Sequence, residues 1–262
     1  MAAGVGSGAV RERLQRILSR AGIASRRAAE KLIAEGRVTV NGAPVRQMGV
    51  RADPASDNIR VDGRRIGQAQ RLRYILLYKP PGYVTTRFDP QRRPTVLDLL
   101  GGVREYVYPV GRLDYDSEGL LLMTNDGDLA TGLTHPRHGV ERTYHARVAG
   151  RPGRDALAAL QSGIPLDGRR TLPARATLLS TGPGNRDAVI ALTIREGRNR
   201  QVRRMCEAVG HPIIALARTQ IGPIGDRRLK PGRWRDLTDL EVRTLKSLAR
   251  REAARPRGEF AR

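Results

Sequence analysis

Residues 111–130 read GRLDYDSEGLLLMTNDGDLA, and this stretch organises the reading of the whole chain. One carboxylate, Asp114, follows a short apolar approach through Tyr108 and Val110 and precedes the apolar run Leu120 to Met123. Arg112 and Glu118 flank it, while Gly111 and Gly119 bracket the loop. Strands are predicted at 106–110 and 119–124, so the acid is lodged between two buried-looking segments. An acid in that setting is costly unless something pairs with it. Asp114 is therefore a candidate for chemistry.

Outward from that loop, 262 residues suit one large domain, or a smaller one plus a larger one, with a real core. Lys and Arg number 48 against 26 Asp and Glu, a formal charge of +22. Such a charge repels itself unless a polyanion compensates it, which makes nucleic acid the leading partner. A membrane surface is the rival. No stretch approaches the ~18 apolar residues of a spanning helix, and Met1–Val10 lacks the basic start and apolar run of a signal peptide. One cysteine, Cys206, cannot form an internal disulfide, which fits a reducing cytoplasm. Two Phe and one Trp are too few for a multi-aromatic single-strand platform.

Residues 1–10 are small and Gly-rich and are expected to be disordered. Leu14, Ile17, Leu18 and Ala21 recur at helical spacing and predict an amphipathic helix over 11–21. Ser25 is a good N-cap for a second helix, with Ala28, Ala29, Leu32 and Ile33 inward and Gly36 stopping it. Val38-Thr39-Val40 then alternates into the hairpin signal Asn41-Gly42, and Arg60-Val61-Asp62-Gly63 reads as another short strand and turn. These elements make a module ending near Gln70. Arg26 and Arg27 stand in the first turn of its second helix, where the dipole disfavours cations. Over 1–71 there are 14 basic and 6 acidic residues, so a phosphate site is preferred to two solvated arginines. The run Arg13-Leu14, Leu18, Gly22, Ser25-Arg26-Arg27, Ala29-Glu30, Leu32-Ile33, Gly36-Arg37-Val38 and Val40-Asn41-Gly42 resembles an S4 RNA-binding domain. That resemblance places the domain at 11–70 and adds Lys31 to Arg26 and Arg27 as an RNA contact.

From Leu72 the pattern changes. Tyr74–Tyr78 is a strand that stops at Lys79-Pro80-Pro81-Gly82, because consecutive prolines cannot continue a ladder. Further strands are predicted at 142–149, 174–180 and 187–194, and helices at 153–161, 199–209 and 238–250. Thr238 and Glu241 open the last helix in capping-box spacing. Runs of strands with irregularly placed helices favour an α+β domain over 72–250, with a mixed, mostly antiparallel sheet and flanking helices. Residues 251–262 read as a basic, disordered tail.

Asp114 has two candidate partners. Arg112 is two residues away. The other lies in Arg195-Glu196-Gly197-Arg198-Asn199-Arg200-Gln201-Val202-Arg203-Arg204-Met205, where Asn199 is expected to cap a helix burying Val202, Met205, Cys206 and Val209. Arginines again crowd a helix start, so anion binding is the natural reading. Tyr144 alternates with Ala146 and Val148 on one strand face and, alone, reads as a core tyrosine. His135, His138, His145 and His211 lack metal-ligand spacing. No P-loop or dinucleotide fingerprint occurs. Cys206, on an apolar helical face, reads as a packed thiol.

Gly111-Arg112-Leu113-Asp114 with Ser117-Glu118-Gly119-Leu120-Leu121-Leu122 resembles the catalytic motif of RNA pseudouridine synthases. Lys79-Pro80-Pro81-Gly82, Arg142-Thr143-Tyr144 and 196–205 match further motifs in order, over roughly 11–248. The chain is most similar to the branch that modifies ribosomal RNA and carries an N-terminal S4 domain. Asn199-Arg200-Gln201 and Ile221-Gly222-Pro223-Ile224 resemble its large-subunit members. The resemblance implies isomerisation of uridine to pseudouridine without cofactor or metal, in free ribosomal RNA or a subunit precursor, by a cytoplasmic monomer. It makes Asp114 the covalent catalyst, stacks Tyr144 on the flipped base, pairs Arg203 with Asp114, and gives Arg112 a part in extruding the nucleotide. Arg198, Arg200 and Arg204 are implied RNA contacts. Asp116 falls at a variable motif position and receives no catalytic role. The alternatives are a non-catalytic RNA-binding or assembly factor, which needs no such carboxylate, and a methyltransferase, which needs a Gly-rich nucleotide loop that is missing.

Overall fold

Alternating apolar residues and tight turns build a small first unit in the computed structural model, which describes residues 11–135 and 139–254, the side chains of 251–254 excepted. The described residues divide into two compact units. One runs to Leu72 and includes Arg104–Tyr106; the other comprises Arg73–Val103 and the chain from Val107 onward. The expectations for 1–10, His138 and 255–262 lie outside the described residues.

In the first unit, strand β1 (Glu12–Arg13) precedes helices α1 (Leu14–Arg20) and α2 (Arg26–Ala34). The first helix thus starts three residues later than its periodicity predicts, because Glu12 and Arg13 pair with Arg51 and Ala52. Ser25 caps α2 as expected, its Oγ accepting from the Ala28 amide at 3.2 Å. Ala28 itself is exposed rather than inward. The short strands β2 (Val38–Val40), β3 (Ala43–Val45), β4 (Arg51–Ala52), β5 (Ile59–Val61) and β6 (Arg64–Arg65) follow. Asn41 and Gly42 take φ of 53° and 86°, the left-handed pair that a two-residue hairpin turn needs. Asp62 and Gly63 do the same between β5 and β6, at 48° and 77°. Leu14, Ile17, Leu18, Ala29, Ile33, Val38, Ala52 and Ile59 form the core.

The second unit is built on one mixed sheet. Its elements are β7 (Tyr74–Lys79), β8 (Tyr108–Pro109), β9 (Glu118–Thr124), α3 (Gly127–Thr134), β10 (Arg142–Ala149), α4 (Arg154–Ser162), β11 (Pro165–Leu166), β12 (Arg169–Arg170), β13 (Arg175–Thr181), β14 (Asp187–Ile194), α5 (Gln201–Ala208), β15 (Ile213–Ile221), β16 (Ile224–Gly225), β17 (Trp234–Asp236) and α6 (Asp239–Ala254). The strand order is β13-β14-β10-β15-β9-β7-β17, with β8 on β9 and β16 on β15. Pairing is antiparallel except between β15 and β9. The α+β, mostly antiparallel expectation is met.

The apolar run Leu120 to Met123 explains why the sheet is covered on both faces. Successive strand residues point to opposite sides. Leu121 and Met123 enter one core with Ile75, Leu77, Tyr144, Val202 and Met205. Leu120 and Leu122 enter another with Leu76, Leu129, Leu133, Leu245 and Ala249. A strand apolar at every position is a strand buried on both sides.

Helix α3 and strands β15 and β17 are not predicted by the sequence pattern. The segment Gly127–Thr134 contains two glycines and two threonines, poor helix formers. It is helical because Asp126 Oδ1 accepts from the Asp128 and Leu129 amides and because Leu129 and Leu133 pack on α6. Helix α6 also runs to Ala254, past the expected end at 250, since no Gly or Pro interrupts the chain there. A Cβ at Gly132 would meet Ala249 Cβ of α6 at 2.6 Å. Gly132→Ala is therefore expected to destabilise by about 1–3 kcal/mol through overpacking, despite alanine's better helix propensity. Urea unfolding checks this, and a stabilised variant would contradict the close helix crossing.

Candidate active site

The loop 111–117 is held by donors along its length. A backbone carbonyl withdrawn from water needs a partner, and here each one from Arg112 to Ser117 has one. Arg218 Nη1 donates to Arg112 O at 3.4 Å, and Thr85 Oγ1 donates to Leu113 O at 2.7 Å. Asp114 O and Tyr115 O accept from the amides of Ser117 and Gly82 at 3.1 and 2.9 Å. Arg203 Nη2 reaches Asp116 O at 3.4 Å. Lys79 Nζ donates to Ser117 O at 2.6 Å, to Pro80 O at 3.0 Å and to Tyr115 O at 3.4 Å. The loop is irregular yet braced, which fixes where the Asp114 carboxylate projects.

That carboxylate is 37% exposed and faces two guanidiniums of the 195–205 segment: Arg200 Nη1 at 3.8 Å and Arg203 Nε at 4.0 Å from Oδ2. Asp116 shares both arginines, with Arg203 Nη2 at 3.1 Å and Arg200 Nη2 at 3.8 Å. Arg203 Nη2 also donates to Ser117 Oγ at 3.1 Å. The structure brings Arg203 to Asp114, but the nearer carboxylate of Arg203 is that of Asp116. Arg203 Nε is left buried without a hydrogen bond. Two carboxylates against two guanidiniums make a compact charge cluster at the surface end of α5.

Helix α5 is not capped by Asn199. Its N-cap is Arg200, in the left-handed region at φ 45°, with no side-chain cap. A non-glycine residue there is uncommon and costs of order 1 kcal/mol. The buried Gln201 organises the turn instead: its Oε1 accepts from the Arg198 amide at 3.0 Å and its Nε2 donates to Glu196 at 2.8 Å. Arg198 is engaged within the protein. Its guanidinium donates to Glu196, Leu166 O, Arg169 O and Arg170 O. It clips the β11–β12 hairpin to the 196–201 turn and has little left for RNA. Arg204 forms a two-point pair with Asp167 at 2.6 and 2.9 Å. Arg112 is exposed. In the first unit, Arg26, Arg27 and Lys31 are exposed on α2.

Tyr144 is buried, 8% exposed, within the first core. Opposite it across the β10–β15 ladder lies Arg218, and opposite Arg218 on the far side lies Gly119 of β9. Tyr144 and the end of the Asp114 loop therefore occupy one cross-section of the sheet, about 10 Å apart at two strand spacings. Cys206 is a packed thiol, its pKa pushed up to about 12 by burial.

Two cations beneath the loop, Lys79 and Arg218, were missed as site residues. The sequence reading places Lys79 in the motif Lys79-Pro80-Pro81-Gly82 that stops a strand and gives it no role in the site, though a charge closing an apolar strand is a usable signal. Its side chain is fully buried, and burial lowers its pKa to about 8 against the attraction of Asp116, Asp114 and Glu118. Between about pH 8 and 10.5 the unfolded chain keeps a proton that the folded chain gives up. The Lys79 contribution to stability should then rise with pH across that window. Subtracting the stability of Lys79→Met from wild type at pH 7.5 and 9.5 isolates it from Cys206, whose raised pKa acts oppositely. A difference that does not grow with pH would contradict the buried charge.

Fold and site together present an accessible acid on a braced loop facing paired guanidiniums, in a strongly basic chain. The sequence profile of the family described as RNA pseudouridylate synthase matches residues 73–208, and that of the S4 domain matches 12–59. The chain is 46% identical over 238 residues to ribosomal large subunit pseudouridine synthase B of Bacillus subtilis, covering 91% of this chain and 97% of that one. It is 42% identical over 234 residues to an uncharacterized RNA pseudouridine synthase of Aquifex aeolicus, covering 89% and 93%. A pseudouridylate synthase crystal structure, 31% identical, superposes with a TM-score of 0.61 over 89% of this chain and 99% of that one. The chain belongs to the RNA pseudouridylate synthase family, in its S4-bearing form, and is an isomerase. Among the described residues no helix is long and apolar enough to cross a membrane.

Proposed function

We propose that this protein converts one or more uridines of ribosomal RNA, in the large subunit, to pseudouridine, with Asp114 as nucleophile. The reaction breaks N1–C1′ of the target nucleotide, turns the base and forms C5–C1′. The C5 proton departs and N1 gains one, so no electron donor enters the balance. The observation that carries the reading is the Asp114 carboxylate itself, accessible on a loop whose carbonyls from Arg112 to Ser117 are engaged, and facing Arg200 and Arg203. A paired uridine must first leave its stack, at a cost of a few kcal/mol. The exposed Arg112, two residues from Asp114, is placed to fill the gap. Tyr144 stacks on the extruded base. The large-subunit assignment is supported by the Bacillus subtilis relative, and the single cysteine and strong positive charge support a cytoplasmic monomer acting on RNA.

The test is pseudouridine mapping of ribosomal RNA from cells lacking the protein, with wild-type complementation. Loss of a large-subunit pseudouridine, restored by wild type, is expected; persistence of every one without the protein refutes the assignment. The exposed Arg26 and Arg27 serve binding. Arg26→Ala combined with Arg27→Ala is expected to weaken RNA affinity and to lower the slope of log affinity against log salt by about 2. Filter binding across salt concentrations measures it, while kcat at saturating RNA should stay unchanged.

A further inference from the structure

Arg218 sits on the central strand β15 and is 2% exposed. Its Nε donates to Leu120 O at 2.8 Å and its Nη1 to Arg112 O at 3.4 Å. Those carbonyls lie on either side of 113–119, so one guanidinium spans both ends of the segment that carries Asp114. Its backbone is wedged against Gly119, the residue where that segment enters β9. On its other side it faces Tyr144. No carboxylate pairs with it among the described residues, and its Nη2 is buried without a hydrogen-bond partner. The half-buried Arg142 is close enough for the two like charges to oppose each other. A guanidinium buried beside another cation with no carboxylate to pair with is costly to bury. Rigid placement of a reacting group, by contrast, has large kinetic value, since a displacement near 1 Å costs on the order of 100-fold.

We propose that Arg218 is a positioning residue for the isomerisation, fixing the height and direction of the Asp114 loop relative to Tyr144. This rests on the reading of Asp114 as the nucleophile. A guanidinium is required because its planar fork reaches two carbonyls at once, whereas an ammonium is a single point of attachment. Arg218→Lys keeps the charge and loses the span, and Arg218→Met loses both.

Both variants are to be compared with wild type and Asp114→Asn in thermal melts and in steady-state kinetics on ribosomal RNA. The expected result is a kcat about 10- to 100-fold lower in both, with the KM for RNA within about twofold of wild type. Arg218→Met can melt lower because the Leu120 and Arg112 carbonyls lose their donor, so kcat is compared well below the melting temperature of each variant, where the loss should persist. If Arg218→Met does not fold, Arg218→Lys decides. Wild-type kcat in the Lys variant while Asp114→Asn is inactive overturns the Arg218 proposal alone. Activity in Asp114→Asn overturns the reading beneath it. A loss of kcat that follows a lowered melting temperature, and recovers on cooling the assay, assigns Arg218 to stability and also overturns the proposal.

Discussion

Asp114→Asn is expected to remove isomerase activity, by on the order of 10,000-fold or more, while leaving the fold and RNA binding nearly intact. Asparagine has the same shape, but its neutral amide oxygen is a far weaker nucleophile than a carboxylate, and loss of a nucleophile is among the costliest changes an enzyme can suffer. The substitution should be quiet elsewhere. The Asp114 side chain is 37% exposed, and its contacts with Arg200 and Arg203 are 3.8 and 4.0 Å, so as partly solvated pairs they add little stability. Arg203 retains Asp116 at 3.1 Å. Removing one negative charge beside an RNA surface should tighten binding slightly, if it changes at all. Single-turnover assays with excess enzyme, together with complementation and pseudouridine mapping, provide the measurement. An Asn variant that restores a missing pseudouridine would remove Asp114 from the mechanism.

Gly119→Ala should have the largest effect on stability. Gly119 holds φ of +108°, outside the region that L side chains occupy. The added Cβ would also fall 2.5 Å from Arg218 N and 2.9 Å from Arg218 C, and close on Arg218 O as well. Those atoms belong to the central strand and cannot retreat without opening the β9–β15 pairing. Strain and overlap together predict a loss of about 3 kcal/mol or more, or roughly 6–12 °C in melting temperature for a domain of this size. Gly102→Ala is the control: Gly102 also has positive φ, 83°, but open space around its Cβ. It should lose about 1 kcal/mol. Equal losses in the two variants would show that the contact with Arg218 is not tight.

How far the sequence could be read follows from the range of the interactions involved. The Ser25 cap and the Asn41-Gly42 turn rest on neighbours within four residues, and both are observed where the sequence puts them. Strands β10 and β14 coincide with their predicted spans because alternation is a local record of burial. Helix α3 and strand β15 escaped because their stability comes from distant partners: α3 from its packing on α6, and β15 from insertion between β10 and β9. The site divides in the same manner. Asp114 was visible as a carboxylate trapped between apolar segments. Asp116, Arg218 and the clip formed by Arg198 were not, because nothing in local spacing tells whether an arginine points to water, to RNA or to the protein's own carbonyls.

The sequence alone carried the class of those elements whose signals are local, the strongly positive charge that points to a polyanionic partner, and the choice of Asp114 as the acid to test. Those properties reside in residue type, short spacing and net charge, which survive without coordinates. Only the tertiary structure decided which guanidinium stands where. It brought Arg200 and Arg203 to the two carboxylates from some 85 residues away along the chain. It also buried Arg218 beneath the loop, bonded to Leu120 across 98 residues. Such pairings are made by the crossing of strands that are remote in sequence, and their angstrom-scale geometry is set by packing that no local pattern records.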